Sequence, residues 1–161
     1  KKATFEQANA LNRVRDGLSD AALADLALTF ANLDRIPLAG EVLTVLAARA
    51  KREVVAPGVP ARIYWDGASR HPGLAGTAEA TALAALAFAR ARPNAPELNG
   101  AIEWLLAHRV GSGWSPTKTK GPALAALGAF YGKAQTAEDR YRLVVTVNDQ
   151  EVHRADVTGA V

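Results

Sequence analysis

At 161 residues, with 49% hydrophobic and 22% charged side chains, the chain can bury the core of one ordinary domain, which excludes disorder of the whole. Lys and Arg outnumber Asp and Glu by 19 to 16, a net charge of +3, and no basic run tracks a phosphate backbone, so nucleic acid is not an expected partner. Cysteine is absent, which removes disulfides, thiolate metal sites and thiol nucleophiles together.

The apolar residues are mostly Ala, Leu and Val, with aromatics at 6%. Helices tolerate a core of such small side chains better than sheets do. No window of about 18 uncharged apolar residues exists, and the opening Lys1-Lys2-Ala3-Thr4-Phe5-Glu6 has no signal-like apolar segment. The lack of methionine, even at the start, is what a processed or excised piece would show.

Residues 4–15 carry a thin apolar stripe, Phe5, Ala8, Leu11 and Val14, which predicts a short helix ended by Asp16-Gly17. Ser19 or Asp20 can then cap a helix in which Leu23, Leu26, Ala27, Phe30 and Leu33 recur at helical spacing. Asp34-Arg35-Ile36-Pro37 is a short connection, and Pro37 suits a first helical position. A second helix to about Arg52, with Leu38, Val42, Val45, Leu46 and the Arg49 stem on one stripe, completes an antiparallel hairpin. Residues 54–76 form a long connection, broken by Pro57-Gly58 and Pro60, with an extended piece Ala61-Arg62-Ile63-Tyr64-Trp65.

Thr77 is placed to cap the next helix, whose face is Ala78, Ala82, Leu83, Leu86 and Ala87 and which Arg90-Ala91-Arg92-Pro93 stops. A second hairpin follows as Asn94 to Pro96 restart a helix through Leu98, Ile102, Leu105 and Leu106, broken at Gly111-Ser112-Gly113-Trp114. The last helix covers roughly Thr117 to Gly132, with Leu124, Leu127, Phe130 and Tyr131 inward and Gly132 as C-terminal cap. Gly121-Pro122 either kinks its first turn or marks where the regular helix begins. Beyond it the period becomes two: Arg140 to Val147 and Glu151 to Val157 alternate around Asn148-Asp149, a β-hairpin.

The chain also repeats itself. Ala80-Thr81-Ala82-Leu83-Ala84-Ala85-Leu86-Ala87-Phe88 is similar to Gly121-Pro122-Ala123-Leu124-Ala125-Ala126-Leu127-Gly128-Ala129-Phe130. Each copy follows an aromatic-glycine loop, Tyr64-Trp65-Asp66-Gly67 before the first and Gly113-Trp114 before the second. Stacked helical hairpins with equivalent inner helices give such a pattern.

Four segments carry a family resemblance: Trp65-Asp66-Gly67; Thr77-Ala78-Glu79-Ala80-Thr81-Ala82-Leu83-Ala84-Ala85-Leu86; Ala101-Ile102-Glu103-Trp104-Leu105-Leu106-Ala107-His108-Arg109; and Gly113-Trp114-Ser115-Pro116-Thr117-Lys118-Thr119-Lys120. In order and spacing, over roughly residues 19–150, they resemble the thioester domain of the α2-macroglobulin and complement family, in a bacterial form. The resemblance implies a mainly α fold of antiparallel helical hairpins forming part of an α/α toroid (residues 1–139). It further implies that the C-terminal strands (residues 140–161) lead into an adjoining β-sandwich. The family's reactive Gly-Cys-Gly-Glu-Gln segment and its acyl-transfer histidine lie upstream of the matching region. The Lys118 to Lys120 stretch and Gly121-Pro122 also depart from the family pattern. No catalytic, cofactor-binding or metal-ligating residue is therefore assigned to this chain.

The remaining chemistry reads as structural. His71, His108 and His153 fall on different elements and do not make a zinc set. Glu79 fits a first-turn carboxylate, Asp66-Gly67 a turn, and Gly111-Ser112-Gly113 a break after a helix rather than a phosphate loop. Trp65, Trp104 and Trp114 read as packing wedges that place the indole N–H on a nearby carbonyl. The expected function is a non-enzymatic structural part of a protease-trapping inhibitor, periplasmic or secreted by resemblance. Its partners would be the adjoining β-sandwich domains, proteases through the parent protein, and a possible second copy through the C-terminal strands. The alternatives are a terpenoid cyclase or prenyltransferase-like toroid, whose acid motif and zinc ligands are missing here, and a helical-repeat peptide-binding module.

Overall fold

The computed structural model describes residues 2–67, 76–111, 113–134, 140–147 and 150–158. His71 lies outside them, as do Ser112 and the Asn148-Asp149 turn. The chain is mainly helical and divides into two compact units, Lys1–Ala129 and Phe130–Val161.

In the first unit, α1 (Lys2–Asn12) leads through a 3-10 turn (Arg15–Gly17) into α2 (Asp20–Asn32) and α3 (Ile36–Ala48). Two short strands follow, β1 (Lys51–Glu53) and β2 (Arg62–Tyr64), then α4 (Thr77–Ala91), α5 (Pro96–Ala107), a second 3-10 turn (Thr117–Thr119) and α6 (Lys120–Ala134), whose last five residues belong to the second unit. α2 packs on α3 and, most extensively, on α4; α4 also packs on α3 and α5. Two antiparallel hairpins, α2–α3 and α4–α5, are thus joined along α2 and α4.

α4 is the centre because it is built from alanine. Ala80, Thr81, Ala82, Ala84, Ala85, Ala87, Phe88 and Ala89 are all buried, so the helix is covered on nearly every side, and methyl-sized side chains let its neighbours approach closely. α2 begins as expected, with Ser19 Oγ accepting from Ala22 N. It ends in a Schellman turn: Arg35 N donates to Phe30 O at 2.8 Å and Asp34 N to Ala31 O at 3.1 Å. Asp34 takes the left-handed position, φ 57°, usually given to glycine and open to Asp at modest cost.

Several expectations are corrected. In α1 the inward residues are Phe5, Ala8 and Asn12, while Leu11 and Val14 are exposed; Asn12 Oδ1 accepts from Arg15 Nη1, which anchors the inward turn. α3 stops at Ala48 rather than near Arg52, because Lys51 to Glu53 pair antiparallel with Tyr64 to Arg62. The N-cap of α4 is Gly76, and Thr77 is the first helical residue without a capping bond. α6 runs past Gly132 to Ala134, with Gly121 and Pro122 in its first turn, where a missing N–H is tolerated.

The inward face of α6 is shifted too. Ala123 and Ala126 are buried, Leu127 and Phe130 half-buried, and Leu124 and Tyr131 stand 62% and 47% exposed. The helix is apolar on almost all sides, so spacing alone could not select a face; the preceding turn does, by burying Thr119, one helical turn before Ala123.

Trp65 and Trp114 behave as the expected wedges. Trp65 is fully buried, its Nε1 donates to Leu46 O at 2.7 Å, and its ring stacks on Phe88. Trp114 Nε1 donates to Leu105 O, also at 2.7 Å. Leu46 and Leu105 are each third from the end of their helix, where carbonyls have no i+4 partner; Leu46 O also accepts from Arg49 N at 3.1 Å. Trp104 stacks between Tyr64 and His108.

In the second unit, β3 (Arg140–Val147) and β4 (Gln150–Thr158) form a two-stranded antiparallel sheet. This matches the expected C-terminal hairpin.

Stability measurements check these assignments. Trp65→Phe and Trp114→Phe should each cost about 1–3 kcal/mol, because the buried indole bonds to Leu46 O and Leu105 O are lost together with part of the ring. Leu124→Ala, on an exposed face, should change stability by no more than about 0.5 kcal/mol. In Gly100→Ala the added methyl would sit 2.6 Å from Ile63 Cγ1 and 3.1 Å from Ala61 O, so overpacking of about 1–3 kcal/mol should outweigh the gain in helix propensity. Urea unfolding of the four variants reads all of this; a Leu124→Ala loss as large as that of Trp65→Phe would overturn the α6 assignment.

Candidate functional site

The segments singled out in the sequence converge around the N-terminal end of α4. Trp65 N donates to Thr81 Oγ1 at 3.1 Å, tying the end of β2 to the first turns of the helix. Glu79, in the first turn, receives Lys118 from the second 3-10 turn, Nζ to Oε2 at 2.8 Å, with the carboxylate side chain 16% exposed. A first-turn carboxylate is favoured there by the helix dipole, and the lysine balances its charge.

A second carboxylate, Asp25 on α2, joins this cluster. It lies on the exposed side of its helix, yet partial burial raises its pKa above the ordinary 3.8, and the neighbouring Glu79 charge adds to the shift. No sequence spacing links Asp25 to Glu79, because Asp25 lies far upstream, on another helix. The only local hint is an acidic residue set between the buried Ala24 and Leu26. The cluster contains a carboxylate that holds its proton more readily than usual beside one neutralised by lysine.

Next to it, Val110, Gly113, Trp114, Ser115, Thr117 and Lys120 line a shallow depression of about 200 Å³. This is smaller than the roughly 300–1,000 Å³ of most ligand sites. The Lys120 stem lies across Gly113, where a Cβ would meet Lys120 Cε at 2.5 Å, so glycine is needed for the turn to close.

His108 caps α5. Its Nδ1 donates to Trp104 O at 2.9 Å, its ring stacks on Trp104, and its Nε2 lies 3.8 Å from Glu53 Oε2. His153 lies on β4, exposed. Asp66 pairs with Lys51 across the base of the β1–β2 hairpin. Among the described residues no three His, Asp or Glu side chains gather closely enough to hold a metal ion, and no described helix is long and apolar enough to cross a membrane.

Comparison with protein-family models, curated proteins and solved structures gave no match to this chain.

The Asp25 shift makes a signed prediction. A carboxyl whose folded-state pKa is raised favours folding when protonated, and that contribution is lost as pH rises from 3.8 through the folded-state value. Asp25→Asn should therefore stabilise the fold at pH 7, with the gain vanishing below pH 3.8. In a Glu79→Gln background the gain should shrink, since part of the shift comes from the Glu79 charge. Thermal unfolding from pH 3 to 7 tests it, and an equal gain at both ends would rule out Asp25 as its source.

Proposed function

We propose that this chain is a non-catalytic, structural part of a bacterial α2-macroglobulin-like protease trap, contributing later helical hairpins of a thioester-type α/α toroid. On this reading α2, α4 and α6 are inner helices, α3 and α5 are outer ones, and β3–β4 opens an adjoining β-sandwich. The parent protein would act in the periplasm or outside the cell.

One observation carries the reading: the four segments that resemble the family are bonded to one another. Trp65 is held by Thr81, Lys118 by Glu79, and Trp114 by the helix that contains Trp104. The exposed apolar residues of α6, Leu124 and Tyr131, add support, because an inner helix of a closed ring would cover such a face with a neighbouring hairpin.

The chain lacks cysteine and so cannot form a thioester itself. Incubation with methylamine should leave its intact mass unchanged, and a stoichiometric adduct would contradict the assignment. The longer protein that carries the chain tests the rest. A trap encloses its protease, so cleavage of a large protein substrate should fall while a small peptide substrate is still cut. Equal cleavage of both with and without that protein would sink the trap reading.

A further inference from the structure

Where α5 ends and β1 ends, two side chains meet without a bond. His108 follows the last residue of α5 and is held from two sides: its ring lies on Trp104 with centroids 3.9 Å apart, and its Nδ1 is 2.9 Å from Trp104 O. A carbonyl can only accept, so Nδ1 carries the hydrogen. That uses the single N–H of a neutral imidazole, and the other nitrogen, Nε2, is left with a lone pair. Nε2 lies 3.8 Å from Glu53 Oε2, an oxygen that is buried and has no hydrogen-bond partner. Two acceptors thus face each other across a gap too long for a hydrogen bond.

The surrounding groups leave that gap unfilled. Arg62 of β2 lies 3.9 Å from the other carboxylate oxygen, Oε1, Arg109 donates to Gly111 O at 3.2 Å, and Tyr64 of β2 stacks on the Trp104 ring. α4 also packs on α5, and among the described residues none of its side chains forms an ion pair with His108 or Glu53. We propose that His108 is a proton-operated latch: a proton on Nε2 turns it from acceptor to donor, and it then closes on Glu53 Oε2 and ties the end of α5 to β1. Histidine is the side chain that changes charge between about pH 5 and 8, and an imidazolium at a helix C-terminus is also favoured by the dipole. A bond made only by the protonated form adds to stability at the acid end of that range and is lost as pH rises. β1 pairs with β2 over three residues, and β2 packs on α5, so the closed latch joins directly two elements that β2 bridges. The inference uses contacts within the first unit alone and stands or falls separately from the trap reading.

A double-mutant cycle tests it on the intact chain. His108→Phe keeps a ring on Trp104 and removes Nε2; Glu53→Met removes the carboxylate at similar length. Both side chains are partly exposed, 40% and 37%, so the variants should fold. Urea unfolding of the parent, the two single variants and the double variant is compared at about pH 5.5 and about pH 8, with a chelator present so that no metal ion stands in for the proton. The coupling between the two positions should raise the folding equilibrium constant about threefold to fivefold at the acid pH and leave it nearly unchanged at the alkaline one. A coupling of equal size at both pH values, or none at the acid pH, would overturn the proposal.

Discussion

The burial of Trp65 is the constraint on which the helical unit depends. Its indole N–H reaches the carbonyl of Leu46 near the end of α3, its backbone N–H reaches the hydroxyl of Thr81 in α4, and its ring lies against Phe88. One residue thereby fixes the distance between α3, the extended chain that leaves it and the central helix. A buried tryptophan needs an acceptor for its N–H, and the last turn of a helix offers carbonyls with a lone pair to spare. The need meets the offer.

The alanine face of α4 makes that arrangement possible. Larger residues at Ala80, Ala84 or Ala87 would push α2, α3 and α5 away from the axis, and Trp65 could not span the gap. The same economy of volume recurs where Gly100 meets Ile63 and Gly113 meets the Lys120 stem. Bulk is concentrated in a few aromatic wedges at the hairpin ends, and the helices between them pack through methyl groups.

What could be read from the sequence follows from the range of the interaction. α2 was legible because its cap at Ser19 and its apolar spacing are local, and β3–β4 because a change of period from helix to strand is local. Where α3 ends was not, since Ala48 is the last helical residue only because Lys51 finds Tyr64 across a long loop. The inward face of α6 was not, because Ala, Gly, Leu and Phe surround it with little contrast. The tryptophan wedges were anticipated by residue type, while their acceptors, Leu46 and Leu105, could be named only from the fold. Asp25 beside Glu79 is the same case: two carboxylates brought together by α2–α4 packing, with no spacing rule to announce them.

The two tryptophan contacts also give the internal repeat a physical content beyond similar letters. Trp65 follows α3 and precedes α4; Trp114 follows α5 and leads to α6; each donates to the third carbonyl from the end of the helix it follows. The connecting chains differ greatly in length, so the loop is free to vary while the wedge is not. The copies part company at the second residue of the repeat. Thr81, which holds the Trp65 backbone, corresponds to Pro122, whose ring offers no hydroxyl to hold Trp114. Lys118 to Glu79 ties the second copy instead, from the turn before α6 back to the start of α4. The interaction with the preceding helix is thus kept in both copies, and the one with the following helix is replaced by an ion pair to the preceding repeat, which links neighbouring hairpins rather than closing each on itself.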